Sequence, residues 1–146
     1  MKIAVKNFEE ITTKELYNIL QLRAAVFVVE QNCAYQDLDG KDEKALHIIG
    51  SKNGDIVAYT RIFAPGDYTD KACIGRVVVK KDQRAFGYGK DIMIASIDAI
   101  RNSFKTSEIC LSAQSYLTKF YKELGFSQVG EEYLEDGIPH IMMEKN

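Results

Sequence analysis

The sequence lacks the features of a membrane-bound or nucleic-acid-binding protein. No segment approaches the roughly 18–20 consecutive apolar residues that a bilayer-spanning helix needs, and the first ten residues hold no apolar stretch of signal-peptide length. The 19 Lys and Arg residues are outnumbered by 21 Asp and Glu, and no basic stripe stands out. We therefore expect a cytoplasmic protein whose partners include neither a membrane nor a nucleic acid.

Cysteine is also scarce. Only Cys33, Cys73 and Cys110 occur, an odd number without CxxC spacing, which argues against a disulfide framework and against a zinc site. All three lie among apolar residues, so we expect small core side chains in a reducing compartment. We predict no metal site.

The length and composition predict one globular domain. The 146 residues are 46% hydrophobic and 27% charged, which suits a single core. No repeat, low-complexity segment or linker divides the chain, so residues 1–146 are expected to form one domain. The oligomeric state stays open, with a homodimer among the options.

Hydrophobic patterning predicts an α/β fold. Alternating or Val- and Ile-rich segments predict strands at 2–6, 45–52, 55–63, 72–79, 108–113, 126–129 and 138–144. Helical spacing predicts helices at 14–29, from Gly89 to about Phe104, and at 116–124, and the polar residues 31–44 predict a loop. Asn53-Gly54 predicts a hairpin. This order favours a three-layer αβα domain around a mixed, mostly antiparallel sheet.

A glycine-containing segment, RAFGYG at 84–89, joins a predicted strand to a predicted helix. A helix N-terminus presents unpaired N–H groups and partial positive charge, and glycine lets a phosphate approach the backbone closely. Arg84 and Lys90 add positive charge. The spacing excludes a Walker A loop and a dinucleotide-binding fingerprint. A plain strand-to-helix turn that uses glycine for its geometry fits these six residues equally well.

With its neighbours, this segment resembles a known family. Arg84-x-x-Gly87-x-Gly89 is similar to the Q/R-x-x-G-x-G/A signature of the GCN5-related N-acetyltransferases (GNAT), and Phe120-Tyr121 lies in a block similar to their second motif, although Ala85 stands where the family often has Gly. The chain resembles the ElaA subgroup in particular, through matching stretches at 23–31, 39–47, 74–77, 112–114 and 135–140.

The resemblance implies acetyl-CoA as co-substrate, a primary amine as acceptor, and direct transfer in a ternary complex. It implies that the backbone of Val77, Val78 and Val79 pairs with the pantetheine arm and that Gln114 contacts the same arm. The resemblance places the pyrophosphate on the backbone N–H groups of Arg84, Ala85, Phe86, Gly87, Tyr88, Gly89 and Lys90.

Tyr121 would lie near the thioester sulfur. A tyrosine has a pKa near 10 and a thiol near 8.5, so Tyr121 could protonate the leaving thiolate as a general acid. Its periodicity fits a core aromatic as well. The protonated amine must also lose a proton, and the candidate bases are Glu30, His47, Glu135 and His140.

Arg23 falls on the apolar face of the first helix and therefore needs a partner. It either forms an internal ion pair with Glu30, Asp37, Asp39 or Asp42, or orders the acidic loop as a wall of the acceptor site. Two other functions stay open for the whole chain: a non-catalytic acyl-CoA-binding sensor, and transfer of a longer acyl chain, as in acyl-homoserine-lactone synthases.

Overall fold

Seven strands form one mixed sheet in the order β1-β2-β3-β4-β5-β7-β6 in a computed structural model that describes residues 1–146. Every neighbouring pair is antiparallel except β4 and β5, which run parallel. The strands are β1 Lys2–Asn7, β2 Leu46–Lys52, β3 Asp55–Phe63, β4 Ala72–Val79, β5 Ile109–Gln114, β6 Ser127–Glu135 and β7 Ile138–Lys145. The predicted mixed, mostly antiparallel sheet is confirmed.

Three helices cover the two faces of the sheet. They are α1 Thr13–Arg23, which continues as a π-helix over Ala24–Glu30, α2 Tyr88–Phe104 and α3 Thr118–Glu123. The main core lies between the sheet and helices α2 and α3, and a smaller cluster lies between α1 and the opposite face. None of the helices has the length and apolar character that crossing a bilayer requires.

Local sequence signals explain where several elements begin and turn. Thr12 caps α1, because its hydroxyl accepts from the Glu15 N–H while the Glu15 carboxylate accepts from the Thr12 N–H. Asn53 and Gly54 both have positive φ, at 54° and 85°, as the tight hairpin between β2 and β3 requires.

The structure corrects three predicted boundaries. The first α-helix ends at Arg23, and the residues up to Glu30 widen into a π-helix. Strand β6 reaches Glu135 instead of residue 129, and all nine of its residues are exposed, so it carries no alternating apolar pattern to reveal it. Helix α3 is preceded by a 3₁₀ turn over Ser115–Leu117.

A fork between β4 and β5 positions the site. The two strands pair only at Ala72–Ile109 and Cys73–Cys110, and they diverge beyond that point. A β-bulge in β4 adds to the divergence. Between two successive pairings, β4 advances by three residues while β3 advances by two, and Arg76 within the bulge has a φ of 50°. As a result, β4 from residue 74 onward has a partner strand on its β3 side only.

Candidate functional site

A cleft of about 720 Å³ runs through the fork. Residues 74–79 of β4 form one side, and residues of β5 and α3, including Gln114 and Tyr121, form the other. One end reaches the beginning of α2, and the other reaches the 31–44 loop and strands β6 and β7. The predicted strand 77–79, Gln114 and Tyr121 are thus brought together in one cleft.

The first turn of α2 is uncapped and faces the cleft. Gly87 occupies the N-cap position with φ of 75° and supplies no side-chain acceptor. The first intrahelical bond runs from the Asp91 N–H to the Gly87 carbonyl at 3.1 Å, which leaves the N–H groups of Tyr88, Gly89 and Lys90 without helical partners. Gly87, Gly89 and Lys90 line the cleft. The arrangement offers several N–H donors and the positive end of a 17-residue helix to an anion.

Arg84 also lines the cleft, whereas three other residues of the segment do not. Ala85, Phe86 and Tyr88 are not among the lining residues. The rings of Phe86 and Tyr88 lie 5.5 Å apart, and the Lys52 ammonium sits 4.2 Å from the centre of the Phe86 ring. These contacts place the aromatic side chains outside the cleft.

Glu30 and Arg84 form a bidentate ion pair at the end of the cleft that reaches α2. The guanidinium Nη1 and Nη2 donate to the two Glu30 carboxylate oxygens at 2.5 and 2.9 Å, and Nε donates to the Val79 carbonyl at 3.1 Å. The hydrogen bond from Arg84 lowers the pKa of Glu30. A carboxylate whose pKa is lowered is a weaker base, so this geometry favours Glu30 as a residue that holds Arg84 in place.

Tyr121 lies against the core with its ring edge-on to Phe120 and Phe126, and it is only 5% exposed. Burial raises the pKa of Tyr121, and no side-chain hydrogen bond contributes to the shift. The phenol therefore stays protonated at neutral pH and can act as a donor. Tyr121 is thus a core aromatic that also lines the cleft.

His47 lies away from the cleft. It is 1% exposed, and its ring nitrogens contact the Tyr59 hydroxyl at 2.6 Å and the Asp42 carbonyl at 2.9 Å. A carbonyl only accepts, so Nε2 carries the proton and Nδ1 accepts from Tyr59. Burial lowers the pKa of His47. This placement favours a structural role, because both ring nitrogens have partners in the protein and His47 does not line the cleft.

The pH dependence of stability tests that role. Below its unfolded pKa of 6.5, the unfolded chain binds a proton at His47 that the folded chain does not, so stability falls as the pH falls. We expect the free energy of unfolding to decline below about pH 6.5, by at most about 1.4 kcal/mol per pH unit. In His47→Gln, which keeps one donor and one acceptor, that decline should be absent down to about pH 4.5. Urea denaturation at several pH values measures it, and parallel curves for the two proteins would refute the assignment.

The other histidine does line the cleft. His140 Nδ1 lies 2.7 Å from the Ile138 carbonyl, and its Nε2 lies 3.4 Å from a Glu135 carboxylate oxygen. The Tyr133 ring stacks on the imidazole, and the Ser112 hydroxyl contacts both Tyr133 and Glu135. Glu135 is half exposed. This polar group stands at the end of the cleft opposite α2.

The acidic loop is neutralised by a buried arginine network. Arg23, 1% exposed, pairs with Asp37 at 2.9 Å and with Asp42 at 2.8 Å. Arg61, 2% exposed, pairs with Asp39 at 2.5 Å and with Asp42 at 3.0 Å. The predicted internal ion pair of Arg23 is confirmed. Arg23 itself does not line the cleft, whereas Arg61 does.

A third arginine brings this network to the cleft. Arg76, at the bulge of β4, lies 2.8 Å from Asp37, and its guanidinium is 5.6 Å from the Tyr35 ring centre. The Tyr35 hydroxyl donates to Asp37 at 3.0 Å. The three aspartates therefore do not present free negative charge to an amine.

Several lining residues escaped sequence reasoning as site residues. Tyr35, Tyr68, Arg61 and Tyr133 line the cleft, and so does Cys33, which is half-buried there instead of filling the core. Tyr133 was missed because β6 has no buried residues, and the sequence of such a strand lacks the alternating apolar pattern that distinguishes a strand from a loop. Gly75-Arg76 did carry a signal, since both belong to the matching stretch 74–77.

Comparison with known proteins places the site in context. The family model described as Acetyltransferase (GNAT) domain matches residues 9–146. The protein ElaA of Escherichia coli is 44% identical over 138 residues, covering 93% of this chain and 90% of ElaA. Its crystal structure superposes with a TM-score of 0.93 at 40% identity, over 99% of both chains.

Two further structures are similar. An acyl-CoA N-acyltransferase from Pseudomonas aeruginosa gives a TM-score of 0.94 at 38% identity, covering 100% of both chains. The acyl-homoserine-lactone (AHL) synthase LasI gives a TM-score of 0.77 over 98% of this chain and 88% of LasI. At 16% identity, the likeness to LasI concerns the fold alone.

Proposed function

This chain belongs to the acetyltransferase (GNAT) domain family, and we propose that it moves an acetyl group from acetyl-CoA to a primary amine by direct transfer. The resemblance predicted from the sequence, to this family and to ElaA within it, is confirmed. The observation that carries the proposal is the cleft, which joins an uncapped helix N-terminus to Tyr121 through the β4–β5 fork. We also infer that residues 1–146 act as one domain.

The cofactor half of the proposal rests on the fork and the start of α2. The pyrophosphate would bind the free N–H groups of Tyr88, Gly89 and Lys90, with the Lys90 ammonium beside it. The pantetheine arm is extended and contains two amides, so it can pair with the β4 backbone at 77–79 in the way that a peptide adds to a sheet edge. The paired side chains of Gln31 and Gln114, 3.2 Å apart, line the opposite side.

The chemistry half rests on Tyr121 and the His140–Glu135 pair. The amine nitrogen attacks the thioester carbonyl, and collapse of the tetrahedral adduct breaks the carbon–sulfur bond. The Tyr121 hydroxyl donates its proton to the departing CoA sulfur. The ammonium first loses a proton to His140 or Glu135, directly or through water, because only the neutral amine has the lone pair that attacks. A second proton, released by the adduct nitrogen, restores the Tyr121 hydroxyl. Holding both reactants in one cleft supplies the proximity that a direct transfer needs.

A covalent acetyl-cysteine route has little support. Cys73 lines the cleft, but its polar contacts are Cys110 at 2.8 Å and Thr69 at 3.1 Å, and neither cysteine is hydrogen-bonded to a histidine. Nucleophilic cysteine catalysis normally uses such a base. Direct attack by the amine is therefore the simpler route.

Substitutions of two glycines at the start of α2 distinguish an effect on stability from an effect on cofactor binding. We expect Gly87→Ala to destabilise the fold by about 1–2 kcal/mol, because its φ of 75° is strained for an L-residue. Gly89→Ala should not destabilise it, since the added Cβ meets Phe120 at an ordinary 3.6 Å within a helix. Both should weaken acetyl-CoA binding, Gly89→Ala by crowding the pyrophosphate. Urea denaturation and calorimetric titration measure the two effects, and equal acetyl-CoA affinity in Gly89→Ala and wild type would remove the pyrophosphate from this position.

The function itself is tested by thiol release from acetyl-CoA with a panel of primary amines, including small diamines, peptide N-termini and lysine side chains. We expect amine-dependent release of free CoA and an acetylated product. Tight acetyl-CoA binding without turnover of any amine would favour the non-catalytic sensor. Turnover with a longer acyl-CoA but not with acetyl-CoA would favour the longer-chain acyltransferase.

A further inference from the structure

Two cysteines meet at the point where the central strands diverge. Cys73 of β4 and Cys110 of β5 are register partners, and they form the last residue pair before the fork opens. Their sulfur atoms are 2.8 Å apart, and the Thr69 hydroxyl lies 3.1 Å from each of them. Nothing in acetyl transfer as described above uses these thiols.

We propose that Cys73 and Cys110 are a site of reversible oxidation, where a hydroperoxide converts the two thiols into a disulfide that joins β4 to β5 at the fork. The backbone already holds the two residues opposite each other on neighbouring strands. A disulfide needs the sulfurs to approach to about 2.05 Å, a movement of about 0.75 Å from the observed 2.8 Å. Side-chain rotation can supply so small a movement.

The surroundings make one sulfur the nucleophile. The hydrogen bond between the two sulfurs lowers the pKa of Cys110, and the Thr69 hydroxyl contributes in the same direction. The hydrogen bond to Cys110 and burial raise the pKa of Cys73. When the pair loses a proton, the remaining thiol hydrogen-bonds the thiolate, and the lowered pKa of Cys110 favours that sulfur as the nucleophile.

The balanced reaction has two steps. The Cys110 thiolate attacks one oxygen of hydrogen peroxide, breaks the O–O bond, and becomes a sulfenic acid as hydroxide leaves. The Cys73 sulfur then attacks the sulfenic sulfur, and its thiol proton leaves with the departing hydroxyl as water. The two sulfurs lose two electrons in total, and the two peroxide oxygens gain them. A dithiol reductant reverses the change.

Access runs through the cleft. Both side chains are buried, and Cys110 itself does not line the cleft, but Cys73 and Thr69 do. The Cys110 sulfur lies 2.8 Å from the Cys73 sulfur and 3.1 Å from the Thr69 hydroxyl, so a molecule as small as hydrogen peroxide approaches the pair from the side of these two residues. Cys33, which also lines the cleft, has no sulfur neighbour, and its nearest polar contact is the Asp136 carbonyl at 3.3 Å. Cys33 is therefore an internal control in the same protein.

The test is oxidation of the full chain with hydrogen peroxide, followed by alkylation under denaturing conditions, thiol titration and peptide mass mapping. We expect the titre of free thiols to fall from three to one, with a linked Cys73–Cys110 peptide that dithiothreitol releases. Closing a loop from 73 to 110 should raise Tm by roughly 5–15 °C. Cys33→Ser should behave in the same way, with its titre falling from two to none.

Three outcomes would overturn the proposal: all three thiols remain titratable, Cys33 is modified while the pair stays reduced, or Cys110 proceeds to sulfinic acid without a cross-link. In Cys73→Ser we expect no linked peptide and no rise in Tm. The mass map of the unaltered protein decides the question even if a substitution impairs folding.

Discussion

Replacing Tyr121 with Phe is expected to lower kcat for amine acetylation by about 10²–10³-fold, equivalent to about 2.7–4 kcal/mol of transition-state stabilisation. The substitution removes only the hydroxyl, and with it the proton that neutralises the departing CoA sulfur. Stability should change little, because the ring keeps its packing against Phe120 and Phe126. Steady-state kinetics with saturating amine, together with the Kd for acetyl-CoA, measure the effect.

Tyr116→Phe is the matched control, because Tyr116 also lines the cleft but is 74% exposed. Its kcat should stay within about twofold of the wild-type value, since a solvated phenol at the cleft edge donates nothing that water cannot. The Kd for acetyl-CoA should be unchanged in Tyr121→Phe. If kcat of Tyr121→Phe equals that of the wild type, the general acid is another group or the thiolate leaves unassisted.

Replacing Arg61 with Met should destabilise the fold by about 3–5 kcal/mol, because it leaves partly buried carboxylates without their cation. Arg61 is 2% exposed and holds Asp39 and Asp42, whose pKa values its hydrogen bonds and charge help to lower against the opposing effect of burial. Methionine fills a similar volume, so the loss reports the missing charge more than a cavity. Urea denaturation at pH 7 measures it.

Arg101→Met is the control for the ion-pair explanation. Arg101 pairs with Asp98 on the surface of α2, where the two side chains are 61% and 55% exposed, so the change should cost less than about 0.5 kcal/mol. Arg61→Lys should lie between the two, because a lysine keeps the charge but not the two-pronged contact with Asp39. A loss below about 1 kcal/mol in Arg61→Met would mean that the network contributes little to stability.

Local chemistry in the sequence predicted the parts of the fold that depend on neighbouring residues. Asn53-Gly54 predicted a hairpin because both positions need positive φ. The turn before α2 was predicted for the same reason, since Gly87 is needed there by conformation. The residues of the turn alone did not identify a ligand, and only the family resemblance implied that the turn binds the pyrophosphate of acetyl-CoA.

The parts that depend on distant residues were not predictable in the same way. Strands β4 and β5 pair at only two residue pairs before they diverge. No pattern in the sequence indicates where two parallel strands diverge. The bulge at Arg76 carries positive φ without a glycine at that residue. The sequence predicted that Arg23 needs an ion-pair partner, but it did not distinguish among four acidic candidates. The conformation of the loop decides, because it places Asp37 and Asp42 next to Arg23.

The fork also divides the sheet into two half-sheets, β1–β4 and β5–β7, whose backbones are joined at only two residue pairs. Helix α2 packs mainly on β1–β4 and α3 on β5 and β6, and one buried core cluster contains residues of both halves. Because the two half-sheets share only these two residue pairs, a rotation of one half against the other would break few backbone hydrogen bonds, and Cys73 and Cys110 lie where the halves meet. A ligand bound between β4 and β5 would lie where a further strand could pair, so its binding would make the connection between the two half-sheets more rigid.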